Sequence, residues 1–192
     1  MHALCSALAL AAALHAPQGP LDRAPRRLPS GLASPMPGAF VAGYPVDTGL
    51  DLAGMKLPVH AIAAGTVDYA ERGHSAWTSP RDSPFAVRIE LDRPIPHRGR
   101  LVTHVWYAHL AELAFEQREG QSPRRRVEAG ERLGTSGVAN GSWHLHLGLL
   151  LDGDVSQAWG TFLPEGEVRE VLGAPPDGGG SPLRPGARLP GW

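Results

Sequence analysis

Short apolar runs with a period of two residues make up most of the middle of the chain. In residues 85–91, Val, Ile and Leu alternate with Ala, Arg and Glu, and this alternation places successive side chains on opposite faces of a strand. Strands are predicted at residues 58–63, 66–70, 85–91, 100–110 and 144–151, and a short helix at 111–116. The pattern predicts a mostly β domain with an antiparallel sheet, open-faced or sandwich-like, and with polar loops at 73–84 and 93–99.

Glycine and proline content agrees with a fold of short strands. The 192 residues include 24 glycines and 19 prolines, which are too many for a helical bundle, and the length suits one domain with a real core. Composition divides the chain into a predicted signal peptide (1–16), a Pro- and Arg-rich linker or surface arm (17–37), the globular domain (38–172) and a Gly- and Pro-rich tail expected to be disordered (173–192).

The N-terminal segment is typical of a secretory signal. Residues 3–14 are almost all Ala and Leu, a stretch too short to span a bilayer, and Ala11, Ala13 and Ala16 offer cleavage sites. An Ala-rich N-terminal helix and an uncleaved anchor are the alternatives. Cys5, the single cysteine, lies in this segment, so a mature chain would have no disulfide and no thiolate ligand. Any metal in the mature chain would therefore be bound by histidines and carboxylates. The signal predicts a secreted or periplasmic protein.

The charge balance excludes some classes of partner. The formal net charge is -1, which argues against nucleic acid or an anionic membrane surface as the main partner. The one basic cluster, residues 124–126, follows a Ser-Pro pair and is interpreted as a solvated loop.

Two histidines and two aspartates form the candidate chemical centre. In the predicted strand at 144–151, His144 and His146 share one face, because the residues between and after them are leucines that point the other way. By the same alternation, Tyr107 and His109 would share a face. Asp47 and Asp51 are four residues apart around a glycine, a spacing that can direct both carboxylates to one point.

These residue types suit a catalytic metal. Zinc in hydrolases takes three His, Asp or Glu ligands and keeps one position open for water, and nearby free histidines can move a proton or stabilise an oxyanion. Other interpretations remain open: aspartates that cap backbone amides in a turn, or a packed pair of strand histidines. A β module that binds sugar or peptide without metal is a third possibility.

Four motifs and one strand pair, in order, carry a resemblance to a known family. Residues 39–153 resemble the lysostaphin-type zinc endopeptidases, the β-lytic metallopeptidases that cut peptide cross-links of bacterial cell walls. The matching residues are Asp51; Pro58, Val59, Ala61, Gly65 and Val67; Tyr107, His109 and Leu110; Val127, Gly130, Leu133, Gly134 and Gly137; and His144, Leu145 and His146. The resemblance implies the duplicated hybrid-motif fold of these peptidases, one Zn²⁺, and peptidoglycan or its peptide stems as substrate.

The resemblance also implies roles for individual residues. Asp51 and His146 correspond to metal ligands, His144 to the general base, and His109 to the histidine that stabilises the tetrahedral intermediate. Asp47 departs from the family, which has histidine as its first metal ligand at this position. Aspartate can bind zinc, but a second carboxylate makes the site neutral and favours harder ions. The sequence therefore predicts a peptidoglycan endopeptidase or, alternatively, a degenerate domain that binds cell wall or regulates another hydrolase.

Overall fold

The structure is a computed structural model, and it describes residues 25–43, 47–74, 79–158, 160–175 and 181–190. The predicted signal peptide lies outside these ranges. None of the helices in the described ranges is long and apolar enough to cross a membrane.

Nearly all the regular structure in the described residues is β-strand. The strands are β1 (Phe40–Val41), β2 (Leu50–Ala53), β3 (Pro58–His60), β4 (Gly65–Arg72), β5 (Phe85–His97), β6 (Arg100–Leu113), β7 (Arg126–Val127), β8 (Arg132–Ala139) and β9 (Ser142–Leu151), and helix α1 is Glu165–Val171. Every strand pairing is antiparallel. The predicted mostly β, antiparallel fold is confirmed.

One sheet contains the strands in the order β1-β2-β9-β8-β6-β5-β4-β7, with β3 paired to β8. Strand β9 is central to this arrangement. It pairs with β2 on one side, with β8 near its beginning and with β6 along most of its length. Residues far apart in sequence therefore meet at β9.

The main hydrophobic core lies on one face of the sheet. Leu50, Leu52, Leu145, Leu147 and Tyr107 belong to it, each fully buried. The tyrosine hydroxyl accepts a hydrogen bond from the Ile62 backbone N–H at 2.8 Å, which satisfies a buried polar atom inside the core. A smaller cluster on the opposite face comprises Tyr69, Ala86, Trp106, Ala108, Leu150 and Phe162.

Two local predictions are wrong. Residues 111–113 extend strand β6 instead of starting a helix, because β6 pairs with β8 as far as Leu113. Residues 93–97, predicted as loop, extend β5 into a long hairpin with β6, in which Ile95 pairs with Val102 and His97 with Arg100. In both places cross-strand pairing, which local composition does not encode, decides the structure.

Described residues on either side of the predicted domain pack against its main core. In the arm, Leu28 and Met36 are buried in the main core. In the tail, Leu183 and Leu189 are buried there too, and the Leu189 backbone N–H donates to Ala39 O at 2.8 Å. The folded unit among the described residues therefore extends from residue 25 to residue 190. Burial of a few well-spaced apolar side chains offsets the disorder expected from high Gly and Pro content.

Candidate metal and catalytic site

Strands β2 and β9 bring the first two site residues together. Asp51 is paired with His146, and the leucines on either side of both residues point into the main core. Both polar side chains therefore lie on the opposite face, where His146 Nδ1 is 2.9 Å from Asp51 Oδ1. Only a protonated nitrogen can donate to a carboxylate, so Nδ1 carries hydrogen in this hydrogen bond. A cation shared by the two side chains would replace that proton.

Asp47 completes a group of three possible ligands. Its backbone is fixed by the segment before α1: Glu165 N–H donates to Asp47 O at 3.0 Å, and Gly49 N–H donates to Leu163 O at 2.8 Å. One ligand atom each of Asp47, Asp51 and His146 lies within 4.8 Å of the others. Asp47 Oδ1 also accepts from the Thr48 backbone N–H at 2.7 Å, the capping contact expected for an aspartate in a turn.

This donor set fits a divalent metal. It combines two carboxylates with one imidazole on largely buried side chains: the side chain of Asp51 is 11% exposed and that of His146 7%. Donors bound at about 2 Å to one ion lie about 3–4 Å apart, so a slight contraction would suffice to bind an ion. His146 Nε2 is buried and has no hydrogen-bond partner in the described part of the chain, whereas Nδ1 is the nitrogen directed at Asp51.

His144 lies beside this group with a fixed tautomer. Its Nδ1 is 3.1 Å from Ser142 O, and since a carbonyl only accepts hydrogen bonds, Nδ1 must be the protonated nitrogen. In the neutral imidazole Nε2 therefore carries the lone pair, and this atom lies 3.8 Å from Asp51 Oδ2. The side chain presents a proton acceptor next to the ligand group.

His109 joins the site through an irregularity in β6. Its φ is +63°, in the left-handed region that non-glycine residues rarely adopt, and the β6–β8 register shifts between Leu110 and Glu112. The imidazole centroid of His109 lies 5.0 Å from that of His144 and 6.1 Å from that of His146. Simple alternation predicted that His109 would share a face with Tyr107, and this prediction is wrong, because Tyr107 points into the main core.

Burial dominates the electrostatics of the site. The pKa of His109 is lowered to about 4, mainly by burial and also by the nearby His144 and His146. His109 is therefore neutral at pH 7 and can act as a hydrogen-bond donor or acceptor. For Asp51, burial raises the pKa, but the hydrogen bond from His146 and the charges of the surrounding histidines outweigh it, so the net pKa is lowered. The aspartate remains an anion that can bind a cation.

An open cleft of about 270 Å³ adjoins the group. Its lining includes Asn140 and Ser142 from the β8–β9 turn together with Ala139, Asp47, Asp51 and His144. Sequence reasoning missed Asn140 and Ser142, since neither belongs to a recognisable motif. Their position next to the paired histidines, across a tight turn, is the signal that could have indicated them.

A second cluster of acidic residues is already neutralised by arginines. Asp68, Glu90 and His104 offer ligand atoms within 4.8 Å of one another. Arg124, however, bonds both carboxylates, at 2.7 and 3.0 Å, and Arg88 bonds Asp68 at 2.8 Å. The negative charge is already compensated by arginines, so this is a salt-bridge network. His104 is buried in this network, with Nε2 3.7 Å from Asp68 Oδ2.

Comparison with known proteins finds similar solved structures but no matching family model. No family model matches the sequence, and no curated protein matches it. The lysostaphin catalytic domain from Staphylococcus simulans is 21% identical with a TM-score of 0.43, over 65% of this chain and 84% of that chain. Lysostaphin from the same organism is 20% identical with a TM-score of 0.47, over 76% of this chain and 55% of that chain.

A chain from a complex of SpoIIIAH and SpoIIQ is also similar. It is 21% identical with a TM-score of 0.46, over 69% of this chain and 96% of that chain. The lysostaphin structures carry the name of the family that the sequence motifs resemble. At these identities and TM-scores, function must follow from the chemistry of the site residues.

Proposed function

We propose that the protein is a secreted or periplasmic, metal-dependent endopeptidase that hydrolyses peptide cross-links of bacterial peptidoglycan. The observation that carries this proposal is the convergence of Asp47, Asp51 and His146 beside His144, whose Ser142 hydrogen bond leaves Nε2 as a free proton acceptor. The substrate class comes from the family that the motifs resemble, and the cleft beside His144 offers a place for a peptide.

Each residue has a defined role in this proposal. Asp47, Asp51 and His146 would bind one Zn²⁺ or another divalent ion, which would polarise the scissile carbonyl and acidify a water molecule. His144 Nε2 accepts a proton from the attacking water. His109, neutral because it is buried, donates a hydrogen bond to the carbonyl oxygen as negative charge develops there.

Asp47 changes the charge of the proposed centre. Two carboxylates cancel the charge of a divalent ion, whereas one carboxylate leaves a net charge of +1. A neutral centre acidifies water less and suits harder ions better than one with two imidazoles. Slower hydrolysis, a higher pH optimum, or a preference for a metal other than zinc is therefore expected.

The test combines metal analysis with a cell-wall digestion assay. The purified domain should hold about one metal ion per chain, and zinc should rebind after chelation. The His144→Ala variant should keep the metal yet lose about 10²–10⁴-fold in rate of peptidoglycan digestion, the range for loss of a general base. His74→Ala, outside the site, is the matched control and should digest normally. Unchanged digestion by His144→Ala would rule out this mechanism.

A second candidate function is favoured by Asp47 alone. The domain would then be catalytically silent and would bind cell wall or regulate a separate hydrolase. On this alternative the native protein takes up no zinc, and Asp47→His creates a zinc site. Tight binding of one zinc ion by the native chain would contradict the alternative, and peptidoglycan binding that persists in a chelator would support it.

A further inference from the structure

Gly49 lies between the two aspartates in a conformation that favours glycine. Its φ is +88°. Its N–H donates to Leu163 O at 2.8 Å, which fixes this backbone against the segment before α1. This hydrogen bond to Leu163 holds the Gly49 peptide in place from outside the segment that carries the two aspartates.

A side chain at this position would collide with the imidazole of His146. A Cβ on Gly49 would lie 2.6 Å from His146 Nε2, 3.0 Å from His146 Cε1 and 2.7 Å from Leu147 O. The carbonyl belongs to strand β9 and cannot move away. The imidazole is 6% exposed, and its centroid is 5.3 Å from that of Trp106. Neither neighbour has room to yield.

The far side of the His146 ring is not held by a hydrogen bond. A metal-binding histidine usually donates its second N–H to a carboxylate or carbonyl, which fixes the ring orientation. Among the described residues, buried His146 Nε2 has no hydrogen-bond partner. The Gly49 backbone faces this edge of the ring, since a Cβ built on it would lie 2.6 Å from Nε2, while Nδ1 at the opposite edge is 2.9 Å from Asp51 Oδ1.

We propose that Gly49 is a positioning residue, whose bare backbone packs against the Nε2 edge of His146 and thereby directs Nδ1 toward the two aspartates. Steric packing replaces the hydrogen bond that would ordinarily orient such a ring. This inference rests on the proposed metal site, but the ring orientation itself can be measured without metal.

Two glycines with equal backbone strain make the test specific. Gly31 has φ +86°, nearly the same as Gly49, yet nothing lies within 4 Å of a Cβ built on it. Gly31→Ala and Gly49→Ala therefore introduce the same left-handed alanine, and only the second meets the histidine. Gly49→Asn also introduces a Cβ at this position, but asparagine tolerates positive φ better than alanine does.

Zinc affinity of the three variants, measured by competition with a chromophoric chelator, is the first readout. Gly49→Ala and Gly49→Asn should each bind zinc about 10–100-fold more weakly than the wild type, as is typical when the support of a ligand is lost. Gly31→Ala should bind as the wild type does. Equal affinities for Gly31→Ala and Gly49→Ala would overturn the proposal.

A second readout uses the metal-free wild-type protein and does not require any variant to fold. The Hα protons of Gly49 should show a nuclear Overhauser effect to Hε1 of His146, because the ring edge packs on that backbone. Absence of this effect would refute the positioning role. If the wild type takes up no metal but shows the effect, the proposed enzymatic function fails while the packing of Gly49 on His146 stands.

Discussion

Protonation of His109 should destabilise the metal-free protein as the pH falls. Burial, together with the neighbouring His144 and His146, lowers the pKa of His109 from 6.5 to about 4. Between these two values the unfolded chain binds a proton that the folded chain does not, so the free energy of unfolding decreases as pH decreases. At about 1.4 kcal/mol per pH unit, this interval corresponds to about 3 kcal/mol in the free energy of unfolding. This stability is present in full above pH 6.5 and is lost as the pH falls to near 4.

Urea unfolding of the metal-free protein at several pH values between 7 and 4 would measure this loss. His109→Asn removes the titrating group, and asparagine tolerates the left-handed backbone at this position. The variant should lose about 3 kcal/mol less stability than the wild type over this pH range. Comparing the two proteins cancels the contribution of those carboxylates and histidines that titrate in both and do not interact with His109.

His74 provides a matched control for this measurement. Its backbone is also left-handed, with φ +59°, but its side chain is 25% exposed and pairs with Glu71 at 2.9 Å. His74→Asn should leave the loss of stability at low pH in place. The reasoning from burial would be refuted if His109→Asn lost as much stability between pH 6.5 and pH 4 as the wild type.

Three further predictions concern the core and the segments that flank the domain. Tyr107→Phe leaves the buried Ile62 N–H without an acceptor and should cost about 1–3 kcal/mol in urea unfolding. Met36→Ala should cost about 2–5 kcal/mol because this side chain of the arm is fully buried, whereas Met55→Ala, at a side chain 65% exposed, should change stability by less than about 0.5 kcal/mol. Leu183→Ala should cost about 2–5 kcal/mol; no measurable loss would show that the tail contributes nothing to the fold.

Local sequence patterns determined much of the sheet. Alternation in residues 85–91 and 144–151 predicted parts of β5 and β9, and it correctly placed His144 and His146 opposite Leu145 and Leu147. A period of two is a local property, so it can be derived without knowing the neighbouring strands. The same holds for the exclusion of a helical bundle from glycine and proline content.

Tertiary structure decided which of the candidate residues meet. Asp51 and His146 are 95 positions apart, and their contact depends on the pairing of β2 with β9. The orientation of His109 depends on a left-handed residue and a shifted register, which no local pattern signals at a histidine. Gly49 was visible in the sequence only as a turn residue, and its packing against His146 emerges from the fold.

The limits of the folded unit were also decided by tertiary structure and not by local sequence. Composition indicated a linker or surface arm and a disordered tail, and the structure packs Leu28, Met36, Leu183 and Leu189 into the main core. Each segment has too few apolar residues to show a periodic pattern. Its apolar side chains are ordered because they pack against apolar surface of strands elsewhere in the chain. Periodicity reports which face of an element is apolar, whereas register, bulges and long-range burial depend on the free energy of the whole fold.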